Sequence, residues 1–175
     1  MLGELKPWVY WNQLDDTTTD ADGVDENKIF NCGPEAVAMV VKYVTGVELT
    51  ADHIKDMLRG QAYTGYLMPS ELAAWLTRYA EIPSVVVQAN SFNMQRIINN
   101  QCIDQGLPSI LLIDFLQPDV GGHFVCPVAY DEGGLYVADP WGGFRRFIAW
   151  TEFPSWTQGL LVRCLRGRDP HLPDE

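Results

Sequence analysis

The chain has 175 residues, a formal net charge of −11 and 47% hydrophobic residues. This length fits one domain, and the apolar fraction is high enough for a full core without disulfides or structural metals. Because an acidic surface repels phosphate backbones, we expect no nucleic-acid partner. The sequence shows neither a signal peptide nor an apolar run long enough to span a bilayer, which predicts a cytoplasmic protein without a membrane partner.

The cysteines are spaced unlike metal ligands or a disulfide framework. All four lie far apart in the sequence, at Cys32, Cys102, Cys126 and Cys164. Structural zinc sites need pairs of ligands a few residues apart, and disulfides are rare in chains kept in a reducing compartment. We therefore expect free thiols, no bound metal and no cofactor.

The N-terminal part combines an aromatic stretch with an acidic loop. Residues Pro7–Gln13 predict a short strand or an edge segment, and the polar residues 14–26 predict a solvated surface loop. Within that loop, three residues fall at the third, fifth and sixth positions of an EF-hand-like calcium site, namely Asp20, Asp22 and Gly23. Thr18 and Ile29 would occupy the first and last positions, where carboxylates belong, so calcium binding is the minor alternative.

The segment from Asn31 to Tyr43 predicts a helix with a cysteine at its mouth. Proline is tolerated only in the first helical turn, so Pro34 predicts a start at about Gly33 or Pro34, directly after Cys32. The residues at helical spacing, which predict a buried face, are Val37, Val40, Val41 and Val44. Unpaired N–H groups and the helix dipole favour a thiolate at this position, which is the nucleophilic form of cysteine. The alternative is a small buried cysteine that happens to precede a helix.

Further elements follow from capping signals and apolar patterns. A second helix is predicted from Ala51, with Thr50 as its N-cap and with Ile54, Met57 and Leu58 facing inwards. A third helix is predicted over Pro69–Tyr79. A fourth is predicted from the N-cap Ser91 to about Asp104. Strands are predicted over Ser84–Gln88, Pro108–Phe115, His123–Tyr130, Leu135–Asp139, Phe144–Ile148 and Gly159–Leu165. Since helices precede hairpin-linked strands, the expected fold is α+β, with N-terminal helices packed on a C-terminal antiparallel β-sheet. One domain is expected over residues 1–165, with a polar tail over 166–175.

His123 and Asp139 lie at the ends of two strands that a hairpin joins. The register expected from the turn puts Asp139 opposite Cys126. It puts His123 opposite Gly142, with the imidazole at an edge of the sheet rather than in the core. One imidazole nitrogen is then within reach of the carboxylate and the other is left to face a thiol, as in covalent catalysis by a nucleophile, a base and an orienting group. The alternative is a polar strand end and an aspartate that starts a turn.

Three other residues bear on this arrangement. His53 and His171 are predicted on the solvent side of a helix and in the tail, without a strand-paired carboxylate. Pro127 interrupts the strand after His123, which predicts a bulge or a sheet edge there. Gln13 lies upstream of the cysteine, where a side-chain amide could stabilise a developing oxyanion.

Several short motifs occur together in a fixed order. These are an aromatic stretch ending in Gln13, Asn-Cys-Gly-Pro at 31–34, Gly-His-Phe-Val at 122–125 and Val-Ala-Asp-Pro-Trp-Gly-Gly at 137–143. Their order and joint occurrence resemble the papain-like cysteine peptidases, most closely the group that includes the double-glycine leader peptidases of bacteriocin exporters and their stand-alone relatives. The resemblance extends from about Trp8 to Gly143 and implies a papain-like α+β fold and a peptide or protein substrate.

The resemblance also implies a role for each candidate residue. Cys32 would be the nucleophile, His123 the base and Asp139 the group that orients it, while Gln13 would line the oxyanion hole. These roles imply a thiol hydrolase that cleaves a peptide or isopeptide bond through an acyl-enzyme intermediate. The gap between Gln13 and Cys32 is longer than in typical papain-like enzymes. Two alternatives stay open: an acyltransferase, such as a transglutaminase-like enzyme, with the same triad, and a non-catalytic binding or structural module that retains the fold.

Overall fold

The computed structural model describes residues 1–13, 31–59, 67–114 and 122–167. The helices are α1 (Cys32–Thr45), α2 (Ala51–Arg59), α3 (Pro69–Tyr79), α4 (Ser91–Arg96) and α5 (Phe153–Trp156). The strands are β1 (Gly3–Glu4), β2 (Ser84–Gln88), β3 (Ser109–Asp114), β4 (Gly122–Tyr130), β5 (Gly134–Asp139), β6 (Phe144–Ala149) and β7 (Thr157–Cys164). After α4 the chain continues through a π-helical segment, Ile97–Cys102, and a 3₁₀ turn, Ile103–Gln105. This layout confirms the predicted α+β class.

Within the described residues, the strands form one antiparallel sheet. Its order is β2-β7-β3-β4-β5-β6, and β1 adds a short pairing to β4. β4 and β5 are therefore interior strands. Because β4 begins where β5 ends, His123 near the start of β4 and Asp139 at the end of β5 lie at the same end of the sheet.

Both faces of the central strands of the sheet are buried. Alternate side chains point to a core beneath α1, α2 and α3, among them Ile110, Phe124, Cys126 and Val162. The intervening side chains point to a second core that includes α4 and its continuation, among them Leu111, Val125, Val137 and Leu161. Burial on both faces accounts for the nearly continuous apolar runs of the central strands. The second helical layer was not part of the predicted packing.

α1 is buried on all sides rather than along one face. Every residue from Cys32 to Val41 is buried, because the helix packs against β4, α2 and α3. Val44 contradicts the predicted inner face, since the last turn of α1 is only partly covered and this side chain is 47% exposed. The inward position predicted for Met57 is also wrong: this side chain is 39% exposed and lines a surface cavity between the helices.

The helix starts show which capping predictions were correct. Thr50 caps α2, because its Oγ1 accepts the backbone N–H of His53 at 3.2 Å. The cap predicted at Ser91 is wrong by one residue. Oδ1 of Asn90 accepts the N–H of Asn93 at 2.9 Å, so Asn90 is the N-cap and Ser91 is the first helical residue.

The aromatic stretch before the cysteine is not a strand. Residues 8–13 follow an irregular path, and the side chains of Trp8, Tyr10 and Trp11 pack against the core beneath the helices. The backbone N–H of Gln13 donates to the carbonyl of Pro140 at 2.9 Å, so this segment is held by the turn after β5 instead of by a strand ladder. The loop after Gln13, with the suggested calcium positions, lies outside the described residues, and so does the tail from residue 168.

The β4–β5 hairpin contains the irregularity predicted at Pro127. Close to the turn the strands pair in the predicted register, but the register shifts by one residue between Pro127 and Ala129. As a result Cys126 lies opposite Ala138, and not opposite Asp139 as predicted. Among the described residues, no helix combines the length and the apolar character needed to cross a bilayer.

Candidate active site

Cys32 is the first residue of α1, so its sulfur lies at the positive end of the helix dipole. Asn31 precedes it as the N-cap, and the carbonyl of Asn31 accepts the N–H of Glu35 at 2.9 Å. The side-chain amide of Asn31 donates to Oδ1 of Asp52 at 3.2 Å. This hydrogen bond joins the start of α1 to α2 and fixes the position from which the cysteine side chain projects.

Gly33 allows α1 to approach β4 closely. A Cβ at this position would lie 3.2 Å from a ring carbon of Phe124 and 3.4 Å from a methyl carbon of Leu72. Phe124 directly follows His123 in β4. The glycine after the cysteine and the aromatic residue after the histidine therefore pack together, which brings the two motifs side by side.

His123 and Asp139 form a buried hydrogen-bonded pair. Nε2 of His123 lies 2.6 Å from Oδ1 of Asp139, and both side chains are 3% exposed. The predicted pairing of His123 with Gly142 is not formed, because β5 ends at Asp139. On the other side of β4, His123 pairs with Ile113 of β3. The imidazole is thus inside the protein, which corrects the predicted position at a sheet edge.

Two further groups hold the Asp139 carboxylate. The backbone N–H of Trp141 donates to Oδ1 at 2.9 Å, and Nη1 of Arg146 donates to Oδ2 at 3.2 Å. The guanidinium of Arg146 also lies 4.4 Å from the ring centroid of Trp156. Sequence reasoning missed Arg146, although the β5–β6 register contains a signal. Phe144 of β6 pairs with Asp139. Arg146, two positions further along β6, is therefore the diagonal neighbour of Asp139 on the same face of the sheet.

The pKa of His123 is set by opposing effects. Burial alone would lower this pKa, because it disfavours the imidazolium. Hydrogen bonds to Asp139 and Cys32, together with the negative charges of thiolate and carboxylate, outweigh burial and raise the pKa of His123 to about 9. Because Nε2 faces Asp139, Nδ1 is the nitrogen left for Cys32. The imidazole of His123 is therefore held in its protonated form at neutral pH.

Gln13 is brought to this end of the sheet by the turn after β5. Its side chain is fully buried, and its N–H donates to the carbonyl of Pro140 at 2.9 Å. Oδ1 of Asn12 accepts the N–H of Gly142 at 3.1 Å. Gly143 has φ +65°, and a Cβ there would lie only 3.0 Å from the backbone nitrogen of Asn12. The backbone of Asn12 and Gln13 is thus packed directly on the turn that follows the aspartate.

His53 does not belong to this cluster. His53 is exposed on α2, as predicted, and His171 lies outside the described residues. In the part of the chain that the structure describes, no group of three or more histidine, cysteine, aspartate or glutamate side chains could hold a metal ion.

The other thiols are confirmed as free and are buried. Burial raises the pKa of Cys102 and of Cys164 to about 11, and it raises the pKa of Cys126 well above its usual value of 9.0. These thiols are therefore held in the protonated form at neutral pH, and Cys32 is the cysteine that contacts an imidazole.

The fold and the buried cysteine, histidine and aspartate define a papain-like cysteine peptidase. The chain belongs to the Peptidase_C39 like family, whose model matches residues 8–157. No curated protein matches the sequence significantly.

Solved peptidases share the fold at low sequence identity. A double glycine motif protease from an AMS/PCAT transporter, solved in complex with the leader peptide, is 15% identical with a TM-score of 0.58, covering 77% of this chain and 84% of that one. The peptidase domain of Streptococcus ComA, a bifunctional ABC transporter involved in quorum sensing, is 16% identical with a TM-score of 0.63, covering 90% and 97%. A C39-like peptidase from Bacillus anthracis is 13% identical with a TM-score of 0.56, covering 95% and 98%.

Proposed function

We propose that the protein is a thiol peptidase that cleaves a peptide or isopeptide bond through Cys32, His123 and Asp139, within one domain over residues 1–165. The observation that carries the proposal is a chain of hydrogen bonds from the Cys32 thiol to the His123 imidazole and on to the Asp139 carboxylate. The thiol lies at the start of a helix. Such an order activates the nucleophile, supplies an acid and base, and orients the imidazole.

The proposed reaction has two halves. In the first, the Cys32 thiolate attacks the substrate carbonyl carbon and forms an S–C bond. The His123 imidazolium then gives its proton to the leaving nitrogen as the C–N bond breaks. In the second half, water attacks the thioester while His123 takes its proton. The S–C bond breaks, a carboxylic acid leaves, and the ion pair is restored.

Two donors are proposed for the oxyanion that forms in each half. The backbone N–H of Cys32 is one, since the first N–H groups of a helix have no carbonyl partner within the helix. The side-chain amide of Gln13 is the other, because this residue is buried and its backbone is fixed by Pro140 beside the aspartate turn. Donors held in place before the reaction stabilise the charge without reorganisation.

Family membership and one neighbour support a peptide as the substrate. The double glycine motif protease was solved with a leader peptide, which is a peptide ligand on the same fold. The acidic composition of this chain, with a net charge of −11, favours encounter with basic segments.

The test replaces Cys32 with Ala and uses a synthetic library of fourteen-residue peptides, with cleavage read by mass spectrometry. We expect native protein to cleave members of the library and Cys32→Ala to cleave none, with the unfolding midpoint in urea unchanged. Cys164→Ala is the matched control, since Cys164 lies on β7 at the opposite end of the sheet and should keep activity. Cleavage that survives in Cys32→Ala would overturn the proposal.

The same samples separate hydrolysis from acyl transfer. Hydrolysis leaves a new carboxyl terminus on each product, whereas transfer in the presence of added glycine ethyl ester leaves an amide. We expect carboxyl termini to predominate. Products that are predominantly amides would establish the acyltransferase alternative.

Alkylation tests the nucleophile without a substrate. The raised pKa of Cys102 and Cys164, to about 11, keeps these thiols unreactive at pH 7, and Cys126 is held protonated more strongly still. Iodoacetamide should therefore add one carbamidomethyl group, on Cys32, as read by peptide mapping. Earlier labelling of any other cysteine would contradict the assignment.

A further inference from the structure

Two side chains extend the buried pair of His123 and Asp139 towards β6 and α5. Nη1 of Arg146 donates to Oδ2 of Asp139 at 3.2 Å, and the guanidinium carbon of Arg146 lies 4.4 Å from the ring centroid of Trp156. The Asp139 side chain is 3% exposed and the Arg146 side chain is 18% exposed. An aromatic ring, a guanidinium, a carboxylate and an imidazole thus follow one another in contact.

The guanidinium of Arg146 is held from two directions. An arginine side chain has many rotamers, so a single hydrogen bond leaves much of its freedom in place. Among the described residues, Asp139 is the one acidic side chain that pairs with Arg146. The Trp156 ring supplies the second contact, within the distance of about 6 Å at which a cation is attracted to the face of an indole. Such a contact is stronger when water is largely excluded, as it is here.

The Trp156 ring is itself anchored to the protein core. Trp156 is the last residue of α5, and its side chain packs against the second core. Phe153, the first residue of α5, is 1% exposed in that core, and its carbonyl accepts the N–H of Thr157. Thr157 starts β7 and pairs with Ile113, which pairs with His123 on its other side. The ring and the histidine therefore belong to one connected part of the sheet.

From this arrangement we infer that Trp156 is a positioning residue for the proposed reaction, because its ring holds the Arg146 guanidinium against Asp139 and thereby keeps the carboxylate aligned with His123. The inference rests on the proposed peptidase function and adds to it a residue outside the cysteine, histidine and aspartate. Oδ1 of Asp139 faces the imidazole, while Oδ2 faces the guanidinium. Holding both oxygens prevents the carboxylate from rotating away from the imidazole that it orients.

Arg145, the neighbouring residue on β6, offers a matched comparison. Its guanidinium carbon lies 4.6 Å from the ring centroid of Tyr136, and its Nη1 donates to Oε1 of Glu4 at 2.9 Å. Successive side chains of a strand point to opposite faces of the sheet, so this arrangement lies on the other face from Arg146. Tyr136→Leu therefore removes the same kind of contact without acting on the Asp139 carboxylate.

The first test measures kcat and KM for one peptide taken from the library. Trp156→Met keeps an apolar side chain but removes the ring. We expect kcat to fall by about threefold, the effect of one lost cation–π contact, with KM unchanged because the ring does not hold the substrate. Trp156→Phe restores a ring face and should recover most of kcat, while Tyr136→Leu should leave kcat unchanged. A change in KM alone would overturn the inference.

The second test asks whether the ring acts through the guanidinium. Arg146→Gln should lower kcat by about tenfold, since the carboxylate loses a charge-assisted hydrogen bond. The double variant Trp156→Met with Arg146→Gln should then lose about tenfold as well, because two residues that act through one contact are not additive. A loss of about thirtyfold, the product of the single effects, would show that the ring acts independently and would overturn the inference.

A third measurement needs no substrate. The proton between Nε2 of His123 and Oδ1 of Asp139, which are 2.6 Å apart, should give a proton magnetic resonance signal downfield of the backbone amides. We expect this signal in native protein, in Trp156→Phe and in Tyr136→Leu at pH 7. In Trp156→Met it should broaden, because a less firmly held carboxylate lets the proton exchange faster with water. An unchanged signal in folded Trp156→Met would contradict the inferred role.

The unfolding midpoint in urea shows that each variant is folded, and Trp156→Leu takes the place of Trp156→Met if the latter does not fold. If peptides are cleaved and the variant without the ring matches native protein in kcat and in the downfield signal, the positioning role is wrong while the peptidase stands. If the signal broadens as expected but no peptide is cleaved by native protein, the peptidase proposal fails while the link from Trp156 to the imidazole remains.

Discussion

Replacing Asp139 with Asn should lower the pH above which kcat/KM for peptide hydrolysis declines. His123 can protonate the leaving nitrogen only as an imidazolium. In the native protein, burial lowers the pKa of His123, but the hydrogen bonds to Asp139 and Cys32 and their charges raise it to about 9. We therefore expect kcat/KM of the native protein to decline above about pH 9. This pH, the alkaline limit of the reaction, is set by the pKa of His123.

The size of the effect follows from the pKa of His123. One pKa unit corresponds to about 1.4 kcal/mol, so the rise from 6.5 to about 9 favours the imidazolium by about 3 kcal/mol. Asn at position 139 keeps a hydrogen-bond acceptor but removes the charge. If the carboxylate supplies half of the effect, the alkaline limit moves down by about one pH unit. Because the folded-state pKa is raised, this stabilisation is complete below about pH 6.5 and is lost as pH rises through about 9.

The assay is kcat/KM against pH from 5 to 10.5 for one peptide taken from the library, with iodoacetamide alkylation measured in parallel. Alkylation needs the thiolate but no imidazolium proton, so its rate should not decline through pH 9. Asp56→Asn is the matched control, because Asp56 is exposed on α2 and the substitution removes the same charge. An alkaline limit that stays in place in Asp139→Asn would refute the assigned link between carboxylate and imidazole.

Two further substitutions test how the site is held. Arg146→Gln should lower kcat by about tenfold and move the alkaline limit downwards, because the Asp139 carboxylate loses the donor at 3.2 Å, and Arg146→Lys should restore part of both. An unchanged alkaline limit in Arg146→Gln would assign Arg146 a structural role only. Gly143→Ala should cost about 1–3 kcal/mol more in urea unfolding than Gly106→Ala, since both glycines have positive φ but only the Cβ at Gly143 meets Asn12. Equal losses in the two variants would show that the contact with Asn12 is unimportant.

Elements marked by strong local signals were predictable from the sequence. Pro69 sets the start of α3, because proline fits only the first turn, and the bounds of β2 match the predicted Ser84–Gln88. The β4–β5 hairpin was predictable because glycines at 133 and 134 separate two apolar runs. These signals are local, so they need no knowledge of what packs on the element.

The features that sequence reasoning missed depend on tertiary context. The aromatic residues before Gln13 read as a strand because they are bulky and apolar, yet they pack as an irregular segment under the core helices. The imidazole of His123 was predicted at a sheet edge because His123 follows a predicted turn. In the structure it is enclosed by β3, which pairs with β4, and by α1, which packs on β4. Even the correct prediction of a bulge at Pro127 did not give the direction of the register shift, which moves Ala138 opposite Cys126.

The motifs behind the family resemblance include residues with no chemistry of their own, and packing gives the reason. Gly33 lets α1 contact Phe124, which places the cysteine beside the histidine. Gly143 lets the turn after Asp139 contact Asn12, which places Gln13 against Pro140, the residue that follows the aspartate. Each glycine is thus a contact point between a segment that carries one candidate residue and a segment that carries another. A site assembled through such contacts requires all of its motifs at once, and for this reason their joint order was more informative than any single one of them.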